Sequence, residues 1–258
     1  LLLWFGRDVL QPQLTRLRDA ALRRAALALG PLLRLLRLGA PVGAQFLLEI
    51  GIFAASGILI GVLDAGSGPA GAEGPNLAGH QIALQLAALS FMVPLGIGIG
   101  ASVRVGWAVG RGDHDGVRRA CLAALAAGTL AMTGFMLLFL GLPATLAGLL
   151  GEHEAALAIA VGLIPIAGVF QIGDGLQVVA IGCLRGLGDL RSPVVANVLG
   201  FWLFGLPLGC VLTFGLGFGP AGLWWGLVAG LFAVAAVLLL VLWWRVGERR
   251  SRLVAGSE

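Results

Sequence analysis

Two acidic residues lie deep within otherwise apolar stretches of this sequence. Asp174 is the only charged residue between Ala155 and Leu184, and Glu49 is the only one between Leu38 and Leu63. A charged side chain at the centre of a membrane span costs about 2.5–3.5 kcal/mol on insertion scales, so it faces a bundle interior or a watery cavity. Because H⁺, Na⁺ or an organic cation can neutralise a carboxylate, this pair predicts a cation site.

Amide side chains accompany both acids. Each set of polar residues recurs at three- or four-residue spacing, which places it on one side of a helix. Both acids also lie about ten residues, or ~15 Å, from the predicted inner surface, so they are expected at one level. The predicted cation- and substrate-binding residues are Glu49, Asp174, Gln45, Gln171, Gln177 and Asn197. A structural alternative stays open, in which the acids are protonated hydrogen bonders that only hold helices together.

The composition is that of an integral membrane protein. The chain is 59% hydrophobic and 12% charged, with a mean hydropathy of +0.98, far from the values of soluble domains. Several apolar runs reach the roughly 20 residues that a spanning helix needs. The predicted spans are Leu38–Leu63, Leu77–Val103, Ala120–Leu142, Ala155–Leu184, Ser192–Phe214 and Gly222–Trp244. We therefore predict an all-α integral membrane fold, a six-helix transmembrane bundle.

All 17 basic residues are arginines, and they lie in four groups on one side of the predicted bundle. The groups come before the first span and after the second, fourth and sixth spans, whereas the opposite loops carry acids and a histidine. The positive-inside rule then places both ends in the cytoplasm and predicts a multi-pass protein of the cell (inner) membrane. Arginines confined between spans do not indicate a nucleic-acid partner.

The termini and one loop complete the predicted organisation. Residues 1–37 are Arg-rich and begin on Leu, which indicates the end of a preceding helix and a cytoplasmic connector in a chain whose beginning is missing. The bundle is predicted to occupy residues 38–244 and a cytoplasmic tail residues 245–258. The segment 64–76, rich in Gly, Pro and Ala, is predicted to be a mobile outer loop without an assigned function.

The sequence motifs give little support for an enzyme. The motifs "GRGD" (110–113) and "GLGD" (186–189) resemble one motif of intramembrane aspartyl proteases, but the chain has no tyrosine for the companion motif. Asp113 and Asp189 also fall in Arg-flanked turns rather than at membrane depth. The histidines and cysteines lack metal-ligand spacing, and no ATP-binding loop motif occurs. We expect no catalytic residue, no cofactor and no bound metal other than a possible Na⁺ at Asp174.

Three stretches resemble a known family. They are "GAPVGAQFLLEIGIFAASGILIG", "AGHQIALQLAALSFMVPLGIGIGASVRVGWAVGRGD" and "FQIGDGLQVVAIGCLRGLGDLRSPVVANVLGFWLFGLPLG". They are similar to the second half of the multidrug and toxic compound extrusion (MATE) family, in its NorM-like branch. The resemblance covers residues from about 30 to the end.

This resemblance implies an antiporter of twelve helices in two lobes, of which the first lobe is missing here. Such a protein exports organic cations or amphiphilic xenobiotics in exchange for H⁺ or Na⁺. Glu49 and Asp174 match the family's acids in the seventh and tenth helices. Some relatives carry a tyrosine where this chain has Phe170, and the loss of that hydroxyl favours protons over Na⁺. A lipid-precursor flippase of related architecture is an alternative, although its cavity would be strongly cationic.

Overall fold

The computed structural model describes residues 29–65 and 74–254. Within these ranges the chain is helical and contains no strand. The helices are α1 (Leu29–Leu63), α2 (Pro75–Gly110), α3 (His114–Gly141), α4 (Pro143–Gly148), α5 (Glu154–Gly186), α6 (Ser192–Gly215) and α7 (Pro220–Val254). All except the short α4 are long and apolar enough to cross a membrane. The predicted fold class, an all-α membrane bundle with six spans, is confirmed.

Most helices extend past the predicted spans. α2 ends at Gly110 instead of Val103, and α7 continues to Val254. Arginine favours helix and occurs in both extensions, so helical turns continue where the apolar run ends. The chain divides into two compact units, Leu1–Ala44 and Gln45–Glu258. In the first, residues 29–44 are helical. Most of the predicted connector and residues 66–73 of the predicted outer loop lie outside the described ranges, so both assignments stay predictions.

Helix α5 forms the centre of the second unit. It packs against α2, α3 and α7, and its side chains are buried along nearly the whole stretch from Leu163 to Leu184. Burial of apolar side chains gives little drive for association inside a lipid bilayer, so close backbone packing carries more of the stability. This accounts for the number of glycines at the helix contacts.

Glycine contacts bring the helix backbones together at two interfaces. A Cβ atom at Gly182 of α5 would overlap the backbone of Gly98 in α2. Between α6 and α7, a Cβ atom at Gly205 would lie 2.9 Å from the Gly226 carbonyl oxygen and 2.9 Å from the Gly230 Cα. Larger residues at these positions would force the helices apart.

Helix α6 is irregular. Its turns widen from the α to the π form over Val198–Gly205 and again over Val211–Gly215. Pro207 lies between these segments and has no backbone N–H to donate, which interrupts the regular ladder. Wide turns of this kind are frequent at functional sites. Here Asn197 is the last residue before the first wide segment.

Three aspartates fix the ends of the helices. Asp64 accepts the backbone N–H of Leu77 at 2.9 Å and so caps α2, while Asp113 accepts the N–H of Gly116 at 2.7 Å and caps α3. Asp189 accepts the hydroxyl of Ser192 at 2.8 Å and pairs with Arg245 at 3.0 Å. Burial raises the pKa of Asp189, but the hydrogen bonds from Ser192 and the guanidinium of Arg245 outweigh it and hold the pKa below its ordinary value.

Gly182→Ala tests the close contact between α2 and α5. The new methyl group would overlap the Gly98 backbone, and overpacking of this kind costs about 1–3 kcal/mol. We expect a lower thermal midpoint of the full-length protein in detergent, measured by size-exclusion chromatography after heating. Gly162→Ala, on the same helix but with open space around it, is the matched control. Equal midpoints for the two variants would contradict the close packing.

Candidate cation and substrate site

One carboxylate oxygen joins three helices. Oε1 of Glu49 in α1 accepts the side-chain N–H groups of Gln45 at 3.2 Å, of Gln177 in α5 at 2.7 Å and of Asn197 in α6 at 3.0 Å. Hydrogen bonds to a charged acceptor are about twice as strong as neutral ones. The structure therefore brings four of the six predicted site residues into direct contact.

The second acid has a different environment. Asp174 lies on α5, three residues before Gln177, and is only 7% exposed. Its carboxylate has no hydrogen-bond donor from the described residues, and it lines the same cavity as Glu49. A buried carboxylate without a protein donor is unfavourable unless something else neutralises or solvates it. Asp174 is thus the acid that is open to an exogenous partner.

The cavity that holds both acids has a volume of about 770 Å³. Its walls come from α1, α2, α5 and α6 and are mainly apolar, with a few polar groups that include Gln81 and Gln177. Five phenylalanines line it: Phe46, Phe53, Phe91, Phe170 and Phe201. Binding cavities for small organic molecules have this size and this mixture of apolar walls with few polar groups. Aromatic faces also attract organic cations.

Gln171 does not reach the acids. Its Nε2 donates to the hydroxyl of Ser90 in α2 at 2.6 Å, and it is fully buried. The helical spacing that placed it with Asp174 ignored this partner on the neighbouring helix. Its role in binding stays a prediction, and the geometry assigns it a contact between α2 and α5.

Phe170 stands at one side of the cavity within a group of aromatic rings. Its ring makes edge contacts with Phe53, at a centroid distance of 6.0 Å, and with Trp224 at 6.1 Å. The indole of Trp224 donates to Nδ1 of His80 at 3.1 Å, and both residues are fully buried. This side of the cavity therefore offers aromatic surface instead of a hydroxyl oxygen.

Arg185 belongs to the site although its position in the sequence indicated only membrane orientation. Its Nη2 donates to Oε1 of Gln45 at 2.9 Å, and its guanidinium lies 5.4 Å from the centre of the Phe46 ring. Gln45, Glu49 and Arg185 also line a small cavity of about 20 Å³, which is room for one water molecule. The available signal was its place one residue after the apolar run of α5.

Trp202 is a second residue that the sequence analysis missed. Its indole N–H, from a wide turn of α6, donates to the Leu48 carbonyl at 3.2 Å. Its ring also covers Gly51, where a Cβ atom would lie 3.1 Å away. These contacts hold α6 against α1 on either side of Glu49. A tryptophan in the middle of a span was the available signal.

The described residues form six spanning helices, four of which line a cavity with aromatic walls and two acids. This is the architecture of a small-molecule transporter rather than an enzyme. Comparison with family models gives the same class, because the MatE model matches residues 41–211. The chain belongs to this family of membrane transporters.

Curated relatives with similar sequences are multidrug resistance proteins. The chain is 41% identical over 229 residues to the Multidrug resistance protein NorM of Burkholderia vietnamiensis, covering 87% of this chain and 47% of the relative. It is 37% identical over 228 residues to the Probable multidrug resistance protein NorM of Pseudomonas aeruginosa, covering 86% and 45%. The chain thus spans about half the length of the curated relatives it matches.

Solved structures share the fold. The eukaryotic MATE transporter AtDTX14 superposes with a TM-score of 0.77 at 21% identity, covering 96% of this chain and 56% of that one. The outward-facing conformation of a multidrug resistance MATE transporter gives a TM-score of 0.76 at 16% identity, covering 87% and 49%. These similarities support a multi-pass membrane fold of the MATE type.

Gln177→Leu tests the hydrogen bonds to Glu49. Removing a donor to a buried charged group weakens the arrangement by about 1.5–3 kcal/mol, so we expect tetraphenylphosphonium to bind the full-length protein roughly tenfold or more weakly. Isothermal titration calorimetry measures this affinity. Gln171→Leu is the matched control, because it removes a buried glutamine of the same helix that contacts Ser90 instead. Equal losses of affinity would show that Gln177 has no special role.

Proposed function

We propose that this chain forms the second lobe of a twelve-helix antiporter that exports organic cations or amphiphilic xenobiotics in exchange for H⁺ or Na⁺. The observation that carries the proposal is the pair of acids in one apolar cavity, with Asp174 lacking a protein donor among the described residues. The names of the curated relatives and the half-length match support it. The chain alone would contain one wall of the transport pathway.

The cavity suits a substrate that is both cationic and apolar. Its phenylalanine rings would contact the apolar body of the substrate, and the carboxylates would attract the positive charge. Gln81 and Gln177 add hydrogen-bonding groups that do not demand one substrate shape. Few directional contacts and a large aromatic surface are consistent with a range of substrates.

The two acids would have different roles in the exchange. Glu49 accepts three amide N–H groups and is therefore held in one position at the cavity wall. Asp174 has no such donors, so H⁺, Na⁺ or the cationic group of a substrate would occupy it in turn. When these occupants compete for one charge, binding of one releases another. This competition is the physical basis of antiport.

Protons are the favoured coupling ion. Phe170 presents a ring packed between Phe53 and Trp224, and it has no oxygen to complete a coordination shell. Na⁺ needs several oxygen ligands, whereas a carboxylate binds H⁺ without further ligands. Na⁺ coupling remains the alternative that the efflux experiment distinguishes.

We propose a cell (inner) membrane location with both ends of the chain in the cytoplasm. The four arginine groups lie before the first span and after the second, fourth and sixth spans. The positive-inside rule assigns that side to the cytoplasm. The cavity acids would then lie about three helical turns from the cytoplasmic surface.

Two alternatives make different predictions. A lipid-precursor flippase would be expected to carry cationic residues in its cavity, but the residues lining the cavity include two acids and no arginine. A structural subunit in which the acids only join helices would keep its function when Glu49 and Asp174 are replaced by amides. Asp189, the acid of the "GLGD" motif, pairs with Arg245 and caps α6, which accounts for it without proteolysis.

Asp174→Asn in the full-length protein tests the proposed function. We expect ethidium efflux from cells to fall to the level of cells without the transporter, because the amide cannot bind and release a cation. Efflux is driven by an imposed H⁺ gradient or by an imposed Na⁺ gradient, and the gradient that drives the wild type identifies the coupling ion. Asp189→Asn is the control for replacement of an acid away from the cavity.

Expression and membrane insertion of each variant are checked by quantitative blotting of membrane fractions. A variant that inserts normally but does not pump identifies Asp174 as the coupling carboxylate. Efflux equal to that of the wild type would mean that Asp174 is a structural residue, and the proposal would fail.

A further inference from the structure

A second cavity lies between α2 and α3, away from the two acids. Its volume is about 510 Å³, and it opens beside the turn that connects the two helices. Three arginines line it: Arg104 and Arg111 from the end of α2, and Arg119 from the beginning of α3. The function proposed above does not use this cavity.

The connecting turn shapes the cavity. Its sequence is the "GRGD" stretch, in which Gly112 adopts a φ of 69° that favours glycine. Arg111 caps the end of α2, and Asp113 begins α3 by accepting the N–H of Gly116 at 2.7 Å. The reversal lets Arg111 and Arg119 face the same space. The GRGD motif therefore has a structural role, which is to shape this cavity.

The charge of the cavity is unbalanced. Its three guanidinium groups face a single carboxylate, that of Asp113, which already accepts a backbone N–H. In the described part of the chain, none of these three arginines makes an ion pair with a carboxylate. All three are exposed and keep their donors available. An anion with several oxygen acceptors, such as a phosphate group, matches this set of donors.

The rest of the cavity is apolar. Ile97 and Ala101 of α2 extend it from the arginines towards the middle of the span, and three alanines of α3 form the facing wall. Trp107 is 60% exposed on α2 between Arg104 and Arg111, where tryptophan marks the boundary between headgroups and acyl chains. A ligand that fills this cavity carries a negative head and an apolar chain.

We propose that the cavity between α2 and α3 binds an anionic phospholipid. The arginines contact the phosphate, and the apolar wall from Ile97 to the alanines of α3 contacts the first part of an acyl chain. Basic pockets between spanning helices are typical sites for anionic headgroups. A soluble phosphate compound would use the arginines but leave the apolar wall unoccupied, so the lipid is the better match.

The test is a titration of the full-length protein in detergent with phosphatidylglycerol, followed by native mass spectrometry. Phosphatidylcholine is the zwitterionic comparison lipid. Near a membrane surface each arginine contributes a factor of roughly five in affinity, so Arg104→Gln with Arg119→Gln is expected to weaken phosphatidylglycerol binding about 25-fold. Replacing both arginines by lysine keeps the charge and is expected to retain most of the affinity.

Arg191→Gln is the matched control, because Arg191 is an exposed arginine in another turn of the same predicted surface. Selective loss of phosphatidylglycerol in the double glutamine variant, with the control unchanged, supports the site. Equal binding by wild type and double variant would overturn it. Displacement of phosphatidylglycerol by inorganic phosphate at equal concentration would also overturn it, since the site would then belong to a soluble anion.

Discussion

A carboxylate inside a membrane needs hydrogen-bond donors, a proton or a cation to offset its lost solvation, and Glu49 obtains donors from three helices. Gln45, Gln177 and Asn197 all donate to the same oxygen. Lipid cannot replace these donors, so any movement that separates α1, α5 and α6 must supply another partner for the charge. The occupancy of the cavity and the arrangement of the three helices are thereby linked.

Contacts between helices hold the three amide donors in place, although the burial of apolar surface gives little drive for helix association in a bilayer. Glycine contacts join α5 to α2 and α6 to α7, so backbones rather than flexible side chains set the helix spacing. In α6 the ladder of hydrogen bonds is interrupted, and this one helix brings two side chains to α1: Asn197, just before the first wide segment, and Trp202, within it.

Much of the site follows from sequence because charge and helical period are local properties. An acid in an apolar run carries a high free-energy cost within a membrane, and this cost singled out Glu49 and Asp174. The four-residue spacing placed Gln45 beside Glu49. Gln171 shows the limit of this reasoning, because its partner Ser90 lies on another helix. Arg185 and Trp202 were missed for the same reason. Their contacts depend on how the helices pack against each other. The wide turns of α6 depend on Pro207 together with its neighbours. The periodicity of the sequence describes neither feature.

The central claim is that substrate and coupling ion compete for the charge in the cavity. Counting protons released when tetraphenylphosphonium binds the purified full-length protein tests it most directly, using a pH indicator in weakly buffered solution. A parallel titration at constant ionic strength measures whether Na⁺ weakens binding. The account predicts proton release, or weakening by Na⁺, in the wild type, and neither effect in Asp174→Asn. Binding to the wild type that releases no proton and is indifferent to Na⁺ would contradict it.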